Sequence, residues 1–387
     1  MASSPPVDAA AERYRRYVGK TMLERIPAIL RIAEEGLDRI AVENLKAIGR
    51  AVAANAPMVM ELGDWPYVGW EDLPRRINGK RIADAPFFDF EYWLYFRILS
   101  GTRFLKSRVD PFRAIKHKDM DAHLAWAEEA LAKITSFPDA LRLSLDANAD
   151  DLSQTSAPKT RLEFGREQLE IDPSRLRRLN IVADNFGIEF LADLILAVTA
   201  AEAGLETHIH VKQLPMFVSD VTVEDVTILL DRLGPPSKLS QRLASAVRVQ
   251  MIRVNSNSIW SAPKFLDGVP AEELGVGEGI LTVLKGDLNY RRAIGDVSVD
   301  IGTPFGALPV LPAASMLSLR SIKSYCVAGV DRWPTGLSRV DFPMDGSIVA
   351  VQRIPARGSG APMQPAPVPA DGLSRMRRLV RRPAGPN

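Results

Sequence analysis

Cysteine and histidine are scarce in this chain. Its 387 residues hold one cysteine, Cys326, and four histidines. A lone cysteine excludes an internal disulfide framework and fits a reducing compartment. His208 and His210 alternate along an apolar run, and His117 and His123 lie far from it. None has a second His or Cys at zinc-ligand spacing, so a zinc site is not expected. Cys326, in an apolar stretch, reads as a small core residue. Long apolar runs are also missing, so no membrane span is expected. The first residues, Met1-Ala2-Ser3-Ser4-Pro5-Pro6, lack the basic start and apolar core of a secretory signal. Nor is there a charge bias: 49 Lys and Arg against 47 Asp and Glu leave a net charge of +2, which exerts no strong pull on nucleic acid. With 46% hydrophobic and 25% charged residues, the profile is that of a soluble globular protein, and cytoplasm is the expected location.

What is present divides at about residue 150. Up to there the pattern is helical. Tyr14, Tyr17, Met22, Ile26, Ile29 and Leu30 recur mostly at three- and four-residue spacing, and Leu45, Ile48 and Val52 continue it. A Pro/Gly/Trp-rich loop covers 63–81, an aromatic helix 87–97, and an amphipathic helix 120–134. The aromatic helix reads as core, with Glu91 its one position of functional interest. A polar connector fills 146–160. Beyond it, short apolar runs alternate with helical patterns. Strands are expected at 179–184, 206–212, 247–254, 279–284, 324–330 and 347–351. Helices are expected at 188–203, 222–233, 237–245, 288–294 and 312–321, with Gly204 as a C-terminal cap. This alternation predicts a three-layer α/β/α sandwich with a mostly parallel sheet over 160–352, preceded by a helical region over 1–150. The Pro- and Arg-rich stretch 355–387 reads as a disordered tail.

The chemistry concentrates where runs end. Leu179 to Ala183 delivers Asp184-Asn185, then Phe186-Gly187-Ile188-Glu189 opens a helix. Parallel sheets place ligand groups at the C-terminal ends of strands. Asp220, in Pro215-Met216-Phe217-Val218-Ser219-Asp220, sits at the next such connection, although Asp there also caps helices. If the two strands are neighbours, Asp184, Asn185 and Asp220 converge. Two carboxylates and one amide oxygen suit an open Mg²⁺- or Mn²⁺-type site with room for water and a substrate oxygen. Such an oxygen site also accepts Co²⁺ or Ni²⁺. Lys285-Gly286-Asp287-Leu288-Asn289-Tyr290-Arg291 combines positive charge, a Gly that admits close backbone approach, and a helix start. Together these suit phosphate. Arg320-Ser321-Ile322-Lys323 could add cations to the same rim, or simply complement a helix C-terminus. Gly275-Val276-Gly277-Glu278-Gly279 imitates a nucleotide loop, but precedes a strand where a dinucleotide fingerprint follows one.

These segments, in this order, resemble the damage-control phosphatase family, in its subfamily with an Arg-Thr-x-Lys motif, also described as acidic-residue methyltransferases. The resemblance spans about residues 10–352, with softer matches at Ala85 to Arg97, Asp110-Pro111-Phe112 and Trp260-Ser261-Ala262-Pro263. It implies a divalent metal on Asp184, Asn185 and Asp220, which double as the catalytic set. It implies substrate contacts from Glu189, Asp287, Leu288, Asn289, Tyr290, Arg291 and Lys323, beside the cations Lys285 and Arg320. The substrate class implied is small phosphomonoesters, sugar phosphates such as fructose phosphates. Ser321 stands where the family has Thr and keeps the hydroxyl. Phe87 to Tyr92 departs from the family's aromatic motif, which bears on substrate identity. Water is the expected nucleophile, because Asp184 is needed as a ligand; direct attack by Asp184 is the alternative. Two other functions compete. One is an S-adenosylmethionine-dependent protein carboxyl O-methyltransferase, which lacks the support of a Gly-rich loop after the first strand. The other is a non-catalytic sugar-phosphate-binding protein, against which the intact Asp184, Asn185 and Asp220 argue.

Overall fold

The computed structural model describes residues 9–148, 162–275, 277–339 and 342–358. The polar connector and the Arg-rich tail fall largely outside these residues.

The first half is helical. Helices α1 (Ala9–Lys20) and α2 (Ile26–Ala33) are joined by one π-helical turn, Thr21–Arg25. Then come α3 (Arg39–Ala53), α4 (Leu73–Ile77), α5 (Phe87–Gly101), α6 (Phe104–Ser107), α7 (Arg113–Lys133) and α8 (Phe137–Ala147). Helix α5 is apolar almost all round, which is the pattern of a helix enclosed by neighbours. Accordingly Phe87 to Phe96 are all buried.

The second half is built on β1 (Leu162–Phe164), β2 (Arg178–Val182), α9 (Ile188–Glu202), β3 (Glu206–Val211), α10 (Val223–Leu233), α11 (Lys238–Arg248), β4 (Ile252–Ser256), β5 (Ile280–Lys285), α12 (Gly286–Ile294), β6 (Met316–Ser321) and β7 (Ile348–Ile354). The seven strands run β1-β7-β6-β5-β2-β3-β4. Every described pairing is parallel except β6 with β7. Alternate residues face opposite layers, as pleating requires. Leu179 and Ile181 of β2 and Leu281 and Val283 of β5 pack with α7, α8 and α9. Val182 and Leu284 turn to the other side, into one apolar cluster with α1, α2, α3 and α5. This is a mostly parallel sheet between helical layers.

Three expectations need correction. Residues 312–321 read as a helix because Ala, Leu and Met dominate them; 316–321 form β6 instead. It lies between β5 and β7 with all six residues buried, and that enclosure overrides local helix propensity. Residues 324–330 are β-prone yet form no strand. Their backbone groups go to side chains: Cys326 O accepts from Arg320, Ala328 N donates to Tyr290, and Ala328 O accepts from Gln352. The strand expected at 247–254 begins only at Ile252, because α11 runs on to Arg248. Strand β1 and the short α4 inside the 63–81 loop were not anticipated. No helix among the described residues is long and apolar enough to cross a membrane.

Candidate active site

From β2 the chain proceeds outward through β3 and β4, then returns to place β5 on the other side of β2. Parallel sheets open a crevice at such a reversal, beyond the C-terminal ends of the strands. Asp184 and Asn185 follow β2, and Gly286 and Asp287 follow β5. A cavity of about 660 Å³ lies there.

Main-chain pairing joins the first two motifs. Asn185 and Asp220 form an antiparallel bridge. Phe186 N donates to Ser219 O at 2.7 Å, and Val221 N to Asp184 O at 3.1 Å. Two glycines make this possible. Gly187 has φ +86°, and a Cβ on it would overlap the Asp119 carboxylate, which instead accepts from Ile188 N at 3.0 Å and caps α9. Gly286 has φ +77°, and its Cα rests directly against the Asp184 carboxylate. Asp220 is anchored from behind. Lys116 Nζ donates to its carbonyl at 2.7 Å, to Asp110 at 2.7 Å and to Asp225 at 2.5 Å.

Asp184, Asn185, Ser219 and Asp220 therefore form one corner of the cavity. The Asn185 amide is oriented from both ends: Nδ2 donates to Glu189 Oε2 at 2.9 Å, and Oδ1 accepts from Ser219 Oγ at 2.7 Å. Burial pushes the Asp184 carboxyl well above its ordinary range; Glu189 and Asp220 add repulsion, while Lys212 and Lys323 oppose it. Burial pushes Asp220 up to about 6, against the pull of Lys212. Burial also lowers Lys212, whose Nζ donates to Asn289 Oδ1 at 3.3 Å. Four buried carboxylates, Asp184, Glu189, Asp193 and Asp220, face two buried ammoniums, Lys212 and Lys285. Carboxylates thus outnumber ammoniums in this set, with Lys116, Arg292 and the half-buried Lys323 acting from its edges. Among the described residues no three His, Cys, Asp or Glu side chains gather to hold a metal; the third oxygen in this corner is an amide. Two carboxylates and one amide oxygen, in a set where carboxylates outnumber ammoniums, fit a hard divalent cation.

The remaining expected residues separate. Asp287, Leu288, Arg291 and Lys323 line the cavity. Arg320 donates to Asp287 Oδ1 at 2.6 Å, and so orients that carboxylate from behind. Arg291 is gripped by Glu91 at 2.7 Å and Asp296 at 2.6 Å, leaving Nη2 as a buried donor without a partner. Glu189, Lys285, Asn289, Tyr290 and Arg320 do not line the cavity. The Lys285 ammonium is fully buried against Ser144 and Asp193. Tyr290 OH donates to Ala328 O, and Asn289 Nδ2 to Lys285 O.

Three parts of the site had not been singled out. The first is the outer wall from α1 and the π-helical turn: Arg16, Lys20, Thr21, Glu24 and Arg25. Arg16, Lys20 and Glu24 fall off the apolar stripe, where a polar face looks merely solvated, while Thr21 and Arg25 continue the Tyr17 row of the stripe itself and look like interruptions of it. The insertion of a π turn, a feature frequent at functional sites, has no compositional signature. The second is Lys212, hidden at the end of a β-prone run. The third is the segment 342–345, which closes the cavity from the far side.

Residues 21–336 match the damage-control phosphatase ARMT1-like domain. The chain belongs to this family. Relatives named damage-control phosphatase ARMT1 include the mouse protein, 31% identical over 165 residues, or 40% of this chain and 38% of that one. The human protein is 30% identical over 165 residues, covering 40% and 37%. The cattle protein is 29% identical over 307 residues, covering 70% and 68%. The matched stretch thus spans well under half the length of the mouse and human relatives. Among solved structures, a DUF89 family protein from Pyrococcus horikoshii superposes with a TM-score of 0.48 at 17% identity, covering 87% of this chain and 98% of that one.

Proposed function

We propose that the protein is a divalent-metal-dependent phosphatase acting on small phosphomonoesters, sugar phosphates of the fructose type among them. The family's name supports the phosphatase reading. The observation that carries the rest is the pairing of an acidic corner, where carboxylates outnumber ammoniums, with a basic wall. Asp184, Asn185 and Asp220 would hold Mn²⁺ or Mg²⁺, with Co²⁺ or Ni²⁺ as alternatives. The cation, when bound, offsets phosphate charge and lowers the pKa of water. Without it, a phosphate dianion would meet the bare carboxylates of Asp184 and Asp220.

The chain's own groups then have distinct tasks. Arg291 offers its unpartnered Nη2 to a phosphate oxygen, and Glu91 and Asp296 hold its guanidinium at a fixed angle. Lys323 adds a second positive charge from the end of β6. The first backbone N–H groups of α12 are free of helix partners, as at any helix start, and face the same region. Preorganised donors of this kind stabilise the charge that shifts to the leaving oxygen. Asp287, steadied by Arg320, is an acceptor for sugar hydroxyls. A water oxygen bonds to phosphorus and gives up one proton as the ester P–O bond breaks, and the leaving alkoxide takes up one proton, so that the elements of one water are divided between the released phosphate and alcohol. Asp184 would serve to hold the metal and not as the nucleophile; a trapped phosphoaspartate at Asp184 would overturn that assignment. In this reading residues 160–352 carry the catalysis and the helical region 1–150 supplies the outer wall.

The test is phosphate release from a panel of sugar and nucleotide monophosphates with each metal in turn. Turnover of sugar phosphates that stops with a chelator supports the proposal. No release with any metal, or release indifferent to chelation, refutes it.

A further inference from the structure

Lys285 ends β5 directly beneath the acidic corner, yet its side chain turns away from the cavity. Its ammonium donates to Ser144 O at 2.7 Å, Ser144 Oγ at 2.8 Å and Asp193 Oδ1 at 2.7 Å. These bonds use all three ammonium hydrogens. A second carboxylate still lies against it: Glu189 Oε1 is 3.3 Å from Nζ and has no hydrogen bond of its own. Undirected charge attraction holds it there, and in a site where both side chains are at most 1% exposed such attraction is strong. Glu189 and Asp193 are one helical turn apart on α9, so both reach the same ammonium. The other Glu189 oxygen, Oε2, takes the amide N–H of Asn185.

We infer that Lys285 is a positioning residue for the metal site: its charge holds Glu189 where Oε2 captures the Asn185 N–H, and this turns the Asn185 oxygen toward Ser219 and the cavity. The inference rests on the metal reading above. Groups that orient metal ligands typically change affinity 10–100-fold when lost.

Calorimetric titration of the full chain with Mn²⁺ tests it. Lys285→Met should weaken Mn²⁺ binding by about tenfold or more. Asp193→Asn breaks the same buried ion pair but leaves the lysine charge on Glu189, so its Mn²⁺ affinity should stay within about twofold of wild type. Melting points of the same samples separate loss of fold from loss of binding: a purely structural role would lower the Lys285→Met melting point and leave the Mn²⁺ affinity of the folded protein unchanged. If Lys285→Met alone does not fold, Lys285→Met/Asp193→Leu leaves one buried carboxylate, Glu189, without its cation where the single variant leaves two. This double variant should fold and still bind Mn²⁺ weakly. Wild-type affinity in Lys285→Met or in the double variant overturns the inference, as does an equal loss in Asp193→Asn. A wild-type chain that binds no Mn²⁺ sinks the metal reading itself, and this inference with it.

Discussion

Gly286 is where backbone conformation and chemistry meet most tightly, and Gly286→Ala is the sharpest perturbation. The residue has φ +77°, and the new Cβ would lie 2.8 Å from Asp184 Cβ and overlap the carboxylate outright. Ordinary contacts begin at 3.4 Å, so Asp184 must retreat by at least about 0.6 Å at Cβ and further at its oxygens. It cannot retreat freely, because its carbonyl is tied to Val221 N at 3.1 Å. The left-handed backbone itself costs roughly 1–2 kcal/mol for a residue with a Cβ. A misplacement approaching 1 Å at a reacting centre costs on the order of 100-fold in rate, about 2.7 kcal/mol. The control is Gly204→Ala. That glycine has φ +88° with nothing within 4 Å of the added Cβ, so only the backbone term applies. The thermal melt of Gly204→Ala should fall by a few degrees and that of Gly286→Ala further, because the overlap with Asp184 adds to the backbone term. Phosphate release with Mn²⁺ should fall about 100-fold in Gly286→Ala and stay near wild type in Gly204→Ala. Equal activities in the two variants would refute the placement of Asp184 in the catalytic corner.

Other outcomes follow from the same geometry. Asp184 is held above its ordinary range, so the stability it contributes without metal is fully present in acid and lost as pH rises through the raised value. Asp184→Asn escapes that loss and should raise the chelator-treated melting point at neutral pH, by about 1–2 kcal/mol in stability, while abolishing phosphate release; a lowered melting point contradicts the repulsion argument. Lys323→Ala removes a rim charge and should raise KM for phosphomonoesters several-fold with a smaller effect on metal affinity, measured by kinetics and Mn²⁺ titration side by side. His210 is pushed down to about 4, first by burial and then by His208 and Arg178. Its contribution is present above its unfolded value of 6.5 and is lost as pH falls toward 4, up to roughly 3 kcal/mol. His210→Phe should flatten that acid limb in denaturant titrations at successive pH values.

Much of the site could be read from the chain because the chemistry sits at strand ends. The apolar run before Asp184-Asn185 could only be a buried strand followed by a glycine turn, and the same logic located Asp287 and Arg291 after β5. The sequence could not reveal direction. Lys285 and Arg291 look equally suited to phosphate on paper. Lys285, however, belongs to a strand whose alternation turns it toward α8 and α9, and Arg291 lies one helical turn further round α12. The misread β6 shows the limit of local propensity: Met316 to Leu319 would suit a helix, and only the neighbours on both sides make it a strand. The outer wall escaped notice for a related reason. Lys20 and Glu24 resemble any solvated helix face until the sheet is placed beneath them.

The central proposal is that the buried carboxylates of Asp184 and Asp220, with Asn185, hold a divalent metal ion that serves phosphate hydrolysis. Equilibrium dialysis against Mn²⁺, with phosphate release measured on the same samples, tests this most directly. One bound ion per chain is expected in the wild type, with none and no turnover in an Asp184→Ala/Asp220→Ala variant that still folds. Unchanged metal content in that variant, or full activity in a chain stripped of metal, would contradict the claim.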